Sequence, residues 1–370
     1  MKKLIMSGRV WQTDGRFLEN CPILIEDGKI LSVGEQVACD EVIDASGLTV
    51  LPGLVDVHTH GRAGYEFCAA SREEMELMKQ DYAQNGVTSV FATLASGTEE
   101  EWLRAIRDIE ACGYIGIHLE GNYLNASKRG AHNPDLLVEL DGDSLGRILR
   151  EIHVPCHVSA AFELDSDGSF ASTAKEYGAT MGLGHTAATA EQAKLAVERG
   201  VTSFTHLFNC MPPLHHREGG AACVGLISDC YVELIADGMH ICPEMISLAY
   251  KAKGNEKFVL ITDSMSATGK PDGTYFLAGQ EVTVKNGRAE TLDGALAGST
   301  LDLWNGVRNL MKFVGIPLSE AITCATVNPA RMVGVEDVVG SIEAGKRADL
   351  LLVDDDLNRR AVFAAGERVL

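Results

Sequence analysis

The sequence predicts an α/β chain: a (β/α)₈ TIM-like barrel carrying a small β-sandwich domain built from both termini. Three observations predict it. Apolar, strand-like runs alternate with amphipathic helical stretches through the middle of the chain. Histidines and carboxylates stand at the C-terminal ends of those runs. Short strand-like runs broken by turns fill both ends.

Strands are expected at 87–93, 113–118, 154–159, 180–185, 203–207, 232–236 and 258–261, after an apolar run at 51–57. Helical stretches at 72–85, 99–112, 191–200 and 244–252 lie between them. About eight such units suit a closed barrel, although a doubly wound open sheet shows the same alternation. The polar residues decide between the two. His58 with His60, Glu120, His185, His206 and Asp263 each end or follow an apolar run, and a barrel gathers those ends around one mouth. No GxGxxG or P-loop stands where an open-sheet nucleotide binder would carry one. No solenoid-length repeat occurs.

The ends of the chain read differently. Runs at 3–6, 10–11, 22–25 and 29–33 are separated by the turns Asp14-Gly15 and Asp27-Gly28. Runs at 350–353 and 360–363 precede a turn at Gly366. Neither end alone makes a stable β-domain, but together they can form one sandwich. The expected division is a sandwich from 1–51 plus 341–370 and a catalytic barrel over 52–340.

The formal net charge of −20 argues against nucleic acid or an anionic membrane surface as a partner, since both require basic surface. An anionic small substrate needs only a local cationic pocket. No window approaches the ~18 apolar residues of a membrane-spanning helix. Lys2 and Lys3 are followed by no long apolar stretch before Asp14 and Arg16, so a cytoplasmic protein is expected. The ten cysteines form no CxxC pair, and most are expected to be buried as small apolar residues of a reduced protein.

His58 and His60 are separated by one residue. In a strand they point to the same side, so both imidazoles can reach one ion. An HxH pair can equally be two hydrogen-bonded core histidines, but Asp56 before it and Gly61 after it, at the end of an apolar run, favour a metal. Glu120 at a strand tip can coordinate or bridge cations, or be a solvated charge. His185 and His206 can be ligands or structural histidines. Taken jointly, four histidines and a glutamate at strand ends form a ligand set suited to Zn²⁺ or Fe²⁺. Asp263 can take a proton from a hydrolytic water and pass it to a leaving amine, or it can cap a helix.

With these residues assembled, the chain resembles the amidohydrolase superfamily. Leu51-Pro52-Gly53-Leu54-Val55-Asp56-Val57-His58-Thr59-His60-Gly61 and Gly340-Ser341-Ile342-Glu343-Ala344-Gly345-Lys346-Arg347-Ala348-Asp349-Leu350 carry that resemblance. More closely, it is similar to the N-acetylglucosamine-6-phosphate deacetylase family. The residues that carry this are His118-Leu119-Glu120-Gly121, Lys128-Arg129-Gly130-Ala131-His132 and Gly184-His185-Thr186. Thr205-His206-Leu207-Phe208-Asn209-Cys210-Met211, Ala236-Asp237-Gly238-Met239-His240 and Thr262-Asp263-Ser264-Met265 follow in order. The resemblance covers nearly the whole chain.

It implies hydrolysis of the N-acetyl amide of a phosphorylated amino sugar. Glu120, His185 and His206 would hold the principal metal, with His58 and His60 able to add a second ion, and Asp263 would be the catalytic acid/base. Ala131, His132, Asn209, Cys210, Asp237, Gly238, Met239, His240, Leu296, Ala297 and Gly298 would line the sugar-phosphate site. Arg217 would bind phosphate from the neighbouring subunit of a homodimer; a guanidinium fork suits phosphate, and His215 and His216 stand beside it. Asn122 stands where many members carry proline, and Cys210 where alanine is usual. Both bear on the fit of the sugar. Dihydroorotase-like, adenine-deaminase-like and N-acyl-amino-acid hydrolases share the HxH and closing motifs, and N-acetylgalactosamine-6-phosphate is the nearest rival substrate. A non-catalytic homologue would be expected to have lost part of this ligand set.

Overall fold

A computed structural model describes residues 1–292 and 294–370. Eight parallel strands form the barrel: β1 (Leu54–Thr59), β2 (Val87–Leu94), β3 (Gly116–Glu120), β4 (Cys156–Ala160), β5 (Thr180–Leu183), β6 (Ser203–Phe204), β7 (Tyr231–Ile235) and β8 (Phe258–Ile261). Neighbours in sequence pair in the sheet. Just past their ends β8 meets β1: the Asp263 amide donates to the His58 carbonyl at 2.9 Å, and the His60 amide to Ser264 at 2.8 Å. Helices cover the outside and side chains fill the inside, so the strands are buried on both faces and read as near-continuous apolar runs.

The helix Glu99–Ala111 shows how the outer layer forms. Thr98 caps it and Glu101 completes a capping box. Trp102, Ala105, Ile106 and Ile109 recur at helical spacing and form its buried face. The Trp102 indole N–H donates to the Ala95 carbonyl at 2.7 Å, tying the helix to the loop after β2.

The termini build two sheets. One orders Lys29–Val33, Ile23–Glu26, Lys2–Met6 and Glu41–Asp44. The other orders Glu367–Arg368, Arg359–Ala364, Leu350–Val353, Thr49–Pro52, Arg9–Trp11 and Phe17–Leu18. Leu350–Val353 pairs antiparallel with Thr49–Pro52, which joins the two ends of the chain. Ile5, Ile23, Ile25, Val50, Leu350, Leu352 and Phe363 share one apolar core between the sheets.

Several elements differ from expectation. The strand expected at 113–118 lies at Gly116–Glu120, and that at 203–207 shortens to Ser203–Phe204. A three-stranded antiparallel sheet, Gly273–Leu277, Gln280–Lys285 and Arg288–Thr291, follows β8. Its alternating burial and its own small core of Leu277, Val282, Val284 and Ala289 make it an addition to the barrel. Five of the ten cysteines are buried, fewer than expected; Cys242 is exposed. No helix among the described residues is long and apolar enough to cross a membrane.

Candidate metal centre

The barrel geometry delivers the polar residues to one place. His58 lies within β1 and Glu120 ends β3. His60, His185, His206 and Asp263 follow β1, β5, β6 and β8 within two residues. His185, His206 and Asp263 have positive φ (45°, 31° and 51°), rare for residues with a Cβ. Such strained conformations cluster at functional sites.

Glu120 is the hub. Its Oε2 lies 3.0 Å from both His58 Nε2 and His60 Nε2. Its Oε1 lies 2.9 Å from His206 Nε2 and 3.4 Å from His185 Nε2. Asp263 Oδ1 is 3.2 Å from His60 Nε2 and 3.7 Å from His58 Nε2. Two overlapping ligand groups result, both buried: His58, His60, Glu120 and Asp263; and Glu120, His185 and His206.

The charge balance tests whether a cation fits. Among the described residues, the ion pairs of Glu120, Glu233 and Asp263 are with imidazoles, and none is with lysine or arginine. Buried carboxylates without a cation are costly. Burial alone would raise the Glu120 and Asp263 carboxyls, but His58 and the other histidines outweigh it. Glu120 is held well below the ordinary range and Asp263 at about 2. Burial likewise opposes charge on His60, yet Asp263 and Glu120 lift it to about 9. A divalent cation amid these donors would supply the missing positive charge, and the nitrogen and oxygen ligands suit one.

Around the centre, burial pushes the His132 imidazole down to about 3, leaving it neutral, and Nδ1 lies 2.8 Å from Ser96 Oγ. His240 Nδ1 lies 2.7 Å from Asp237 Oδ2; burial opposes its charge, but Asp237 raises its pKa. His60, Glu120, Ala131, His132, His185, His206, Asn209, Cys210, His240, Asp263, Leu296 and Gly298 line one cleft, with Gly130, Leu277 and Ala295. His58 lies behind them, fully buried. Asp237, Gly238, Met239 and Ala297 do not line that cleft: Asp237 orients His240, Met239 is exposed and Ala297 is buried. Arg217 stands on an exposed turn with His215 and His216, and does not line its own chain's cleft. Asn122 has φ 56°, and its side chain bonds the Gly97 backbone at 2.8 and 3.2 Å. Proline, locked near −65°, could not take that conformation.

Sequence reading missed Glu233, His118 and His157, which make a buried polar layer beneath the centre. A lone carboxylate within the apolar run 231–235 was the available signal.

A closed barrel whose strand tips bring a buried histidine–carboxylate set to one cleft defines a metal-dependent hydrolase of the barrel type. The chain belongs to the amidohydrolase family, whose model matches residues 49–369, and its centre is a divalent-metal site. It is 32% identical to an N-acetylgalactosamine-6-phosphate deacetylase of Escherichia coli O157:H7, over 98% of each chain. It is 33% identical to an N-acetylglucosamine-6-phosphate deacetylase of Bacillus subtilis, over 93% of this chain and 91% of that one. A variant of N-acetyl-D-glucosamine-6-phosphate deacetylase from Mycobacterium smegmatis, solved in complex with N-acetyl-D-glucosamine-6-phosphate, superposes with a TM-score of 0.92 at 34% identity. That match covers 100% of this chain and 99% of the other.

Proposed function

We propose that the chain hydrolyses the N-acetyl amide of N-acetylglucosamine-6-phosphate to glucosamine-6-phosphate and acetate, in amino-sugar catabolism. The observation that carries this reading is the convergence of Asp263 and both ligand groups on one cleft. The full-length similarity to deacetylases of phosphorylated amino sugars supports the substrate class.

Glu120, His185 and His206 would hold the principal ion, Zn²⁺ or alternatively Fe²⁺. One ion per subunit is the minimum; His58 and His60, with Glu120, would hold a second. A bound divalent cation supplies Lewis acidity and lowers the pKa of water toward ~7. The remaining chemistry belongs to side chains. Asp263 accepts a proton from the attacking water as a C–O bond forms at the acetyl carbon. It returns that proton to nitrogen as the C–N bond breaks. His132 and His240 face the developing oxyanion as hydrogen-bond donors. Ala131, Asn209, Cys210, His240, Leu296 and Gly298 shape the sugar-phosphate site, with Asp237 acting through His240.

The exposed position of Arg217, outside its own cleft, supports a homodimer in which it binds the phosphate in the partner's site. Sedimentation should give a dimer, and Arg217→Ala should raise KM for the phosphorylated sugar. A fully active monomer would contradict both. The division into a terminal sandwich, 1–51 plus 341–370, and a catalytic barrel, 52–340, is part of the same reading. So is a cytoplasmic location, in keeping with a charged phosphorylated substrate that does not cross membranes unaided.

The similarity to the Escherichia coli protein favours N-acetylgalactosamine-6-phosphate as the second reading. Acetate release from both epimers, each with and without the 6-phosphate, separates them. The highest kcat/KM is expected on N-acetylglucosamine-6-phosphate. Faster turnover of the galacto epimer would replace it, and equal rates without phosphate would remove the phosphate from recognition.

A further inference from the structure

We propose that Glu233 is a positioning residue, which fixes the His58 ring so that its Nε2 faces the second cation position. This rests on the two-ion reading above and names the residue that makes His58 competent as a ligand of the second ion. Glu233 sits mid-strand in β7, fully buried in a run of apolar neighbours. A carboxylate there is costly unless its oxygens have partners. Its Oε2 lies 3.4 Å from His58 Nδ1. Its Oε1 accepts the Ser203 hydroxyl at 3.0 Å and lies 3.4 Å from His157 Nε2. His157 is anchored in turn, its Nδ1 lying 2.9 Å from Thr180 Oγ1.

A carboxylate at Nδ1 keeps the proton on that nitrogen and leaves the Nε2 lone pair free. On His58 that lone pair points toward Glu120 Oε2, 3.0 Å away, and into the ligand group shared with His60 and Asp263. The other imidazoles are held differently. His185 Nδ1 lies 2.8 Å from the Lys128 carbonyl, which orients it independently of Glu233. The Nδ1 atoms of His60 and His206 have no hydrogen-bond partner among the described residues. Among the described residues the Glu233 side chain therefore bears on one ligand of one ion, and it bonds none of Glu120, His185 or His206 directly.

The test is metal binding, read apart from activity. Full-length wild type, Glu233→Gln and the His58→Ala, His60→Ala double variant are depleted of metal. Each is then titrated with Zn²⁺ against a chromophoric chelator, with circular dichroism as the check on folding. Wild type is expected to bind two equivalents and the double variant one. Glu233→Gln should weaken the second equivalent by roughly ten- to a hundredfold while leaving the first unchanged. Two equivalents of wild-type affinity in Glu233→Gln would overturn this inference alone. Equal weakening of both ions would overturn it too, by making Glu233 a general structural support. A single equivalent in wild type, unaltered in the double variant, would overturn the two-ion reading and this inference with it. A measurement on the wild type needs no variant. In ¹⁵N-histidine NMR of the Zn²⁺-loaded protein, His58 should show a slowly exchanging Nδ1–H. A His58 that binds metal through Nδ1 contradicts the proposal.

Discussion

Asp263→Asn is expected to lower kcat by about a thousandfold while leaving metal content intact, because it removes the proton carrier and little else. Asparagine keeps the size and one oxygen of aspartate, so it still fits the buried position after β8. What it lacks is the capacity to take a proton from water and hand it to the departing nitrogen. Asp263 Oδ1 lies 3.2 Å from His60 and belongs to the ligand group of His58, His60 and Glu120, so any loss of affinity is confined to the second ion. The group of Glu120, His185 and His206 does not include Asp263, so an ion held there is expected to stay. Elemental analysis beside steady-state kinetics checks the separation. Turnover within about tenfold of wild type would remove Asp263 from the proton-carrying role.

Glu120→Ala is expected to abolish both metal retention and acetate release. Glu120 is the one carboxylate common to the two ligand groups, and its two oxygens lie within 3.4 Å of four imidazoles. Removing it leaves one group with only His185 and His206 and the other with His58, His60 and Asp263, and it takes away the single carboxylate that joins them. The contrast with Asp263→Asn is the informative part. One variant keeps metal and loses chemistry, whereas the other loses both. Glu120→Ala protein that retained a full equivalent of Zn²⁺ and turned over would break the shared-ligand account.

The barrel and most of the centre were legible in the sequence for local reasons. A strand repeats every two residues, so His58 and His60 had to share a side. Each of Glu120, His185, His206 and Asp263 closed an apolar run, and strand tips in a barrel converge. What escaped depends on contacts between distant segments. Glu233 and His157 read as isolated polar residues in apolar runs, and only the closed barrel sets them 3.4 Å apart beneath His58. The small sheet at 273–291 has alternating, half-exposed strands that resemble any surface hairpin. The positive φ of His185 and His206 has no signature in the residue types around them, since neither is a glycine or an asparagine. For Arg217 the sequence suggested a role, but one chain holds it on an exposed turn, away from the cleft it would serve.

A metal-dependent deacetylase site in this cleft must lose its activity with its metal. The most direct test is acetate release from N-acetylglucosamine-6-phosphate by chelator-depleted protein as Zn²⁺ is added back. Negligible release is expected from depleted protein, with recovery that saturates by two equivalents per chain. Undiminished release from protein shown by elemental analysis to be metal-free would contradict it.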